Sequence, residues 1–118
     1  MTTLTDERDL SAGCCAPLMG EGLSREEAGA TAALFKALAD PTRVRILNLL
    51  AGSPEPVCLC DINSSFDLSQ PTLSHHLKKL VTAGLLTRAQ RGTWAFYSIN
   101  EGALRRLGDA VGQREVAS

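Results

Sequence analysis

The sequence has no long apolar run and few aromatic residues. None of its apolar stretches approaches the roughly 18 residues that a membrane-spanning helix needs. It also lacks a basic start followed by an apolar stretch and a small-residue cleavage site, so we expect no signal peptide and a cytoplasmic protein. One Trp, one Tyr and three Phe in 118 residues, with abundant Leu and Ala, favour helix over sheet. The length fits one domain, and 44% hydrophobic residues suffice for a compact core.

Residue sets that are typical of enzymes are also missing. The sequence contains no evident Ser-His-Asp set, no paired catalytic carboxylates and no glycine loop that could cradle a phosphate. A thiol oxidoreductase would need a Cys-x-x-Cys pair at the start of a helix in a βαβ setting. The cysteines here form Cys-Cys and Cys-x-Cys pairs in a helical context instead. We therefore expect a protein that is not an enzyme.

Four cysteines are present, as the pairs Cys14-Cys15 and Cys58-Leu59-Cys60. In a chain with no sign of secretion, paired cysteines are more often metal ligands or redox groups than structural disulfides. We expect the protein to respond to something that binds or oxidises thiols.

Charge is unevenly distributed along the chain, although the formal net charge is only −1. Residues 1–40 carry seven acidic residues against three basic ones, whereas residues 69–100 carry four basic residues and no acidic one. An ordinary solvated face would explain such a basic block. On a short helix and a hairpin, however, it reads better as the electrostatic footprint of a nucleic-acid-binding surface.

The chain divides into three segments. Residues 1–22 lack helical periodicity and contain several glycines and a proline, which predicts a mobile arm that carries Cys14 and Cys15. Residues 23–112 are predicted to form a DNA-binding and dimerisation domain, and residues 113–118 a short tail.

Capping signals mark the first two helices. Ser24 and Glu27 form a capping box for a helix that runs to about Ala39. Asp40-Pro41 then begins a second helix, because Asp is a good N-cap and Pro suits the first helical position. Gly52 is its natural end.

Two short helices and a hairpin follow. A helix over roughly 59–66 is separated by a tight turn from one that Ser69 caps and that ends at Gly84, which predicts a helix-turn-helix. Two strands, 85–90 and 93–99, form a wing beside it. Asn100 caps a last, glycine-containing helix, which needs a partner surface to persist and so indicates a dimer.

The helix that begins at Ser69 carries polar groups opposite its apolar face. Gln and Ser side chains can hydrogen-bond base edges, and Lys can pair with phosphate or guanine. His76 borders the buried face, and we expect it to be a partly buried histidine that hydrogen-bonds within the motif or to a phosphate. The residues predicted to contact DNA are Ser69, Gln70, Thr72, Ser74, His75, His76, Lys78, Lys79, Arg88 and Arg91.

Three segments carry a family resemblance: 34–43 (LFKALADPTR), 57–62 (VCLCDI) and 69–78 (SQPTLSHHLK). Together they closely resemble the ArsR/SmtB family of metal-sensing repressors, over about residues 30–100. The resemblance implies a mainly α, winged helix-turn-helix homodimer whose first and last helices form the dimer interface. It also implies that the metal-free dimer binds operator DNA of dyad symmetry and that the inducing ion lowers this affinity.

Cys58-Leu59-Cys60-Asp61 is similar to the Cys-Val-Cys-Asp motif of the arsenic-, cadmium- and lead-sensing members. Thiolates select thiophilic ions over Mg and Ca, which prefer oxygen. On a regular helix, residues i and i+2 point about 200° apart, so both sulfurs cannot readily meet one ion. Either the start of this helix is unwound after Pro56, or only one of the two thiols is a primary ligand.

The predicted metal ligands are Cys14, Cys15, Cys58 and Cys60. The resemblance implies that arm cysteines can join the site, often on the partner subunit. Two arm thiolates and one from the helix would suit As(III) or Sb(III), the inducers we expect; all four would suit Cd(II), Pb(II) or Zn(II). Three alternatives to a metal site stay open. The thiols could sense redox state by forming a disulfide, Cys58 or Cys60 could simply pack as a small buried residue, and the Cys14-Cys15 pair could be incidental. Residues 101–118 contain no His, which argues against the zinc or nickel site that some members carry on the last helix.

Overall fold

The computed structural model describes residues 22–112, and the two cysteines of the predicted arm and the predicted tail lie outside the described residues. The chain is mainly helical with one small sheet, as the sequence predicts. No helix among the described residues is both long and apolar enough to cross a membrane. The elements are α1 (Arg25–Leu38), α2 (Pro41–Ala51), β1 (Val57–Cys58), α3 (Leu59–Ser65), α4 (Gln70–Thr82), β2 (Leu86–Arg91), β3 (Trp94–Ile99) and α5 (Glu101–Ala110).

Side-chain caps begin the helices where the sequence predicts them. Ser24 Oγ accepts from the backbone N–H of Glu27 at 3.0 Å, and Glu27 Oε1 accepts from the backbone N–H of Ser24 at 2.9 Å. Asp40 Oδ2 accepts from the backbone N–H groups of Thr42 and Arg43. These bonds satisfy backbone donors that have no partner inside the helix. The capping box and the Asp-Pro start are therefore confirmed.

The sheet contains a third strand, β1, that the sequence does not predict. The order is β1-β3-β2, and all pairs are antiparallel. Val57 pairs with Tyr97 and Cys58 with Phe96. A strand of two residues has no detectable periodicity, so its pairing with β3 comes from the tertiary fold. It ties the start of α3 to the wing.

The core lies beneath α4. Leu73, Leu77 and Leu80 are completely buried, and they pack with Ile46 of α2 and Ile62 of α3. Together these side chains bury the apolar stripe that the spacing in α4 predicts. The chain leaves α4 through Gly84, whose φ of +89° is a left-handed conformation that favours glycine. The core therefore fixes α4 and leaves its opposite face exposed.

Candidate DNA-binding surface and thiol site

The first turn of α4 is closed by its own side chains. Ser69 Oγ accepts from the backbone N–H of Thr72 at 3.3 Å and donates to Thr72 Oγ1 at 2.8 Å. Both residues are exposed. These two predicted DNA-contacting residues thus hold the start of the helix while remaining accessible.

The face of α4 opposite the core is polar and free of acidic residues. Every residue predicted to read DNA from this face is exposed, and the set is Gln70, Ser74, His75, Lys78 and Lys79. With 3.6 residues per turn, they form a strip that runs the length of the helix. Amides, hydroxyls and ammonium groups in such a strip are suited to base edges and phosphates.

His76 lies at the edge of this strip and is bonded inside the protein. Its side chain is 14% exposed, and its Nδ1 accepts a hydrogen bond from Arg43 Nε at 3.2 Å. An Nδ1 that accepts carries no proton, so its 3.9 Å separation from Asp40 Oδ2 is not an ion pair in this state. Arg43 also donates through Nη1 to the carbonyl oxygen of Ala37. His76 is partly buried as expected, but its partner Arg43 lies on α2, outside the helix-turn-helix. Through Arg43 the bond connects α4 to α2, and the second Arg43 bond extends the connection to α1.

The two wing arginines lie on opposite faces of the sheet. Arg88 and Arg91 are three residues apart on one strand, and side chains alternate between faces along a strand. Arg88 Nη2 donates to Gln90 Oε1 at 2.7 Å, whereas the Arg91 guanidinium carbon stands 4.8 Å from the centre of the Phe96 ring. They do not share one face of the sheet, although both are predicted to contact DNA.

Cys58 and Cys60 bring their sulfurs together. Cys58 is the N-cap of α3 with extended backbone, φ −67° and ψ 143°, and so precedes the helix. Its Sγ lies 2.8 Å from Cys60 Sγ and accepts from the backbone N–H of Cys60 at 3.4 Å. The 200° separation of a regular helix therefore does not apply, because Cys58 precedes the helix. Which of the two thiols is a primary ligand stays a prediction. Both thiols are free.

The proximity of the two sulfurs changes the acidity of one of them. The hydrogen bond to Cys58 is the largest cause that raises the pKa of Cys60 above its ordinary value; desolvation and the nearby Asp61 carboxylate act in the same direction. Cys60 therefore stays protonated at neutral pH, and a bound metal ion would displace its proton.

The thiol pair supplies two soft ligands, and a complete metal site needs at least one further ligand. Within residues 22–112, no group of three or more His, Cys, Asp or Glu side chains is placed to hold a metal ion. Two thiolates on one Zn(II) at about 2.3 Å in tetrahedral geometry stand about 3.8 Å apart, so ligation would separate these sulfurs by about 1 Å. Cys58 is buried and Cys60 exposed, which leaves one side of the pair open.

Sequence reasoning assigned no role to two residues near these surfaces. Arg43 stands three residues after the helix cap Asp40, and no sequence signal indicates that it reaches His76. Trp94, which is 55% exposed, lines a groove of about 350 Å³ together with Cys60 and Gln70. An exposed tryptophan at the tip of a hairpin was the available signal.

Comparison with known proteins places this architecture in a family. The model of the arsR family of bacterial regulatory proteins matches residues 40–88. An arsenical resistance operon repressor of Bacillus subtilis is 42% identical over 67 residues, which are 57% of this chain and 63% of that protein. A cadmium resistance transcriptional regulatory protein, a CadC homolog of Staphylococcus aureus, is 35% identical over 98 residues, covering 81% of this chain and 80% of that protein.

A solved structure agrees with the fold. The homodimeric winged helix-turn-helix DNA-binding domain of a possible ArsR-family regulator from Mycobacterium bovis, determined by solution NMR, superposes with a TM-score of 0.61. It is 29% identical and covers 76% of this chain and 85% of that one. The exclusion of enzymatic activity is confirmed, because the arsR family consists of transcriptional regulators. The chain belongs to the arsR family and is a DNA-binding winged helix-turn-helix transcriptional regulator.

Proposed function

We propose that this regulator is a homodimeric repressor that releases its operator when As(III) or Sb(III) binds to cysteine thiolates. The observation that carries the proposal is the 2.8 Å approach of the Cys58 and Cys60 sulfurs at the start of α3. Two converging thiols that are both free select a thiophilic ion. The arsenical resistance repressor among the relatives supports the same class of inducer.

The remaining sulfur comes from the arm. Cys14 or Cys15, from the same chain or from the partner, would complete three thiolates around As(III), and the exposed side of Cys60 is where such a ligand can approach. This version of the site uses both helix thiols, because the extended backbone at Cys58 removes the geometric objection to a shared ion.

The thiol pair has a direct mechanical connection to the DNA-binding surface. The backbone of Cys58 pairs with Phe96 in the wing, and α3 is the helix that precedes α4 in the helix-turn-helix. An ion that separates the two sulfurs and draws in the arm would therefore shift β1 and the start of α3. A coupling of roughly 1–3 kcal/mol between ion and operator would lower the affinity for DNA about 5- to 150-fold.

Dimerisation is proposed through α1 and α5. Phe35 on α1 is 43% exposed, Leu23 just before α1 is 50% exposed, and Val111 just after α5 is 69% exposed. Apolar side chains exposed on and beside two adjacent helices are suited to a partner surface. A two-fold dimer would present two α4 helices to successive major grooves, about 34 Å apart on a dyad operator.

A Cd(II)- or Pb(II)-responsive repressor is the second candidate. The sulfurs of Cys58 and Cys60 lie 2.8 Å apart, so two further thiolates from the arm would give the four-sulfur set that these ions accept. The cadmium resistance protein among the relatives favours this candidate.

Release of operator DNA from reduced, full-length protein distinguishes the candidates. The duplex would be selected in vitro from random sequences with metal-free protein and titrated with As(III), Sb(III), Cd(II), Pb(II) and Zn(II). We expect As(III) and Sb(III) to act at the lowest concentrations, and Cys14→Ser/Cys15→Ser to weaken their effect at least tenfold. If only Cd(II) or Pb(II) releases the DNA, the second candidate is the correct function. Release by a thiol oxidant without metal would identify a redox sensor instead.

A further inference from the structure

The exposed member of the thiol pair, Cys60, opens into the groove that Trp94 lines, and Cys58 lies buried behind it. Cys60 forms part of its wall, Leu59 and Trp94 supply apolar surface, and Gln70, Arg88 and Gln90 bound it on the side of α4 and the wing. Its volume of about 350 Å³ lies within the range of small-molecule sites, about 300–1,000 Å³. The groove is much larger than a single bound ion requires.

The valence of arsenic connects the groove to a ligand class. Trivalent arsenic forms three bonds, and the described residues supply two sulfurs. For inorganic arsenite the third bond needs another thiolate. For a monosubstituted arsenical the third bond is already made to carbon, so two sulfurs complete the site and the carbon substituent must be accommodated beside them.

We propose that the groove binds the aromatic substituent of a monosubstituted trivalent arsenical while Cys58 and Cys60 hold its arsenic. This inference rests on the proposed thiol site. For an arylarsonous acid, two As–O bonds break and two As–S bonds form. Each thiol proton leaves with a hydroxide as water, and arsenic remains in the +3 state throughout. The aryl ring lies against the Trp94 indole, since aromatic pairs prefer offset-stacked or edge-to-face contact.

An occupant of this groove acts at the DNA-binding surface itself. Gln70 is the first residue of α4, and Arg88 and Gln90 belong to the wing strand β2. A ring wedged between them stands beside the edge that approaches DNA. An arylarsenical therefore releases DNA without the arm thiols, whereas arsenite needs them.

The test uses the full-length Cys14→Ser/Cys15→Ser variant with phenylarsonous acid and with arsenite. Trp94 is the only tryptophan in the chain, so its fluorescence reports on the groove alone. We expect one equivalent of phenylarsonous acid to change the emission of Trp94 and to release DNA. Arsenite should bind this variant at least tenfold more weakly.

Two further substitutions in the same background separate stacking from thiol binding. Trp94→Ala should lower the affinity for phenylarsonous acid, measured by calorimetry, about three- to tenfold, as expected for the loss of one aromatic pair. Thr93→Ala, the matched control in the same wall, should change this affinity less than twofold. In the chain with an intact arm, Trp94→Ala should leave the arsenite affinity unchanged.

The inference is overturned if Trp94→Ala lowers the affinities for phenylarsonous acid and arsenite equally, or if phenylarsonous acid leaves the emission of Trp94 unchanged. Failure of the proposed function has a different signature. In that case Cys58→Ser/Cys60→Ser, with an intact arm, would still release DNA on addition of arsenite.

Discussion

Cys58 has two roles at one position. Its extended backbone makes it the N-cap of α3, and that same conformation places its sulfur against Cys60. Serine, threonine, aspartate and asparagine are the usual caps, and the Cys58 sulfur, which accepts the backbone N–H of Cys60 at 3.4 Å, is a weaker acceptor than their oxygens. The choice of sulfur over oxygen at a capping position is explained by a ligand role better than by stability.

Substituting the cap separates these two roles. Cys58→Ser should preserve the helix start, because the hydroxyl accepts the same backbone hydrogen bond, and should abolish the response to arsenite. Cys58→Ala removes the cap, and we expect its free energy of unfolding to be about 0.5–2 kcal/mol lower than that of Cys58→Ser. Urea unfolding followed by circular dichroism measures the difference. Equal stability of the two variants would show that the cap contributes nothing.

The acidity of Cys60 gives a prediction in metal-free protein. Its hydrogen bond to Cys58 is the largest cause of the raised pKa, so Cys58→Ala should lower the pKa of Cys60. A lower pKa means more thiolate at pH 7.5 and faster reaction with iodoacetamide. Rates measured against pH in the Cys14→Ser/Cys15→Ser background test this. The explanation is wrong if Cys60 reacts more slowly after the substitution.

At the scale of elements, α4 has one edge that is bonded to the rest of the protein and one exposed face that is predicted to contact DNA. The Arg43–His76 bond fixes the helix against α1 and α2, whereas Lys78 and Lys79 stand exposed in the strip opposite the core. The two kinds of residue should therefore affect DNA binding in different ways.

Lys78→Ala/Lys79→Ala should lower the salt dependence of DNA binding. If both ammonium groups neutralise phosphates, the slope of log K against log salt concentration becomes less steep by about two per protomer. Fluorescence anisotropy titrations over a range of salt concentrations measure it. If the double substitution leaves this slope unchanged, the phosphate contacts are made by other residues.

Arg43→Gln provides the contrasting result. It removes two hydrogen bonds from a charged donor, and we expect it to lower the free energy of unfolding by about 1.5–3 kcal/mol. DNA affinity should fall while the salt slope is retained, because Arg43 holds the helix rather than a phosphate. If Arg43→Gln makes the slope of log K against log salt concentration less steep, Arg43 itself contacts DNA.

Local signals predicted most of the elements and few of the contacts between them. Ser24, Asp40 and Ser69 mark helix starts because each cap depends on residues within three positions. By contrast, the pairing of Cys58 with Phe96 joins residues 38 positions apart, and the two-residue strand has no pattern of its own. The extended cap at Cys58, and with it the meeting of the sulfurs, follows from that pairing. The groove was unpredictable for the same reason, since α3, α4 and the wing all contribute to it.

At the scale of the whole molecule, the proposed dimer depends on apolar surface left by α1 and α5. Phe35→Asp should convert the dimer to a monomer, because it places a charge in the centre of the proposed interface. Val44→Asp on α2 is the matched control, since Val44 is similarly exposed at 50% but lies outside that interface. Sedimentation velocity at micromolar concentration measures the state. Retention of the dimer in Phe35→Asp would move the interface to another surface.

The central claim is that an ion bound at the Cys58–Cys60 pair weakens DNA binding. Its most direct test is the dissociation constant for operator DNA, with and without saturating arsenite, for reduced wild-type protein and for Cys58→Ser/Cys60→Ser. We predict that arsenite weakens the wild-type complex about 5- to 150-fold and leaves the variant complex unchanged, with equal affinities in the absence of arsenite. An arsenite effect of the same size in both proteins would contradict the account.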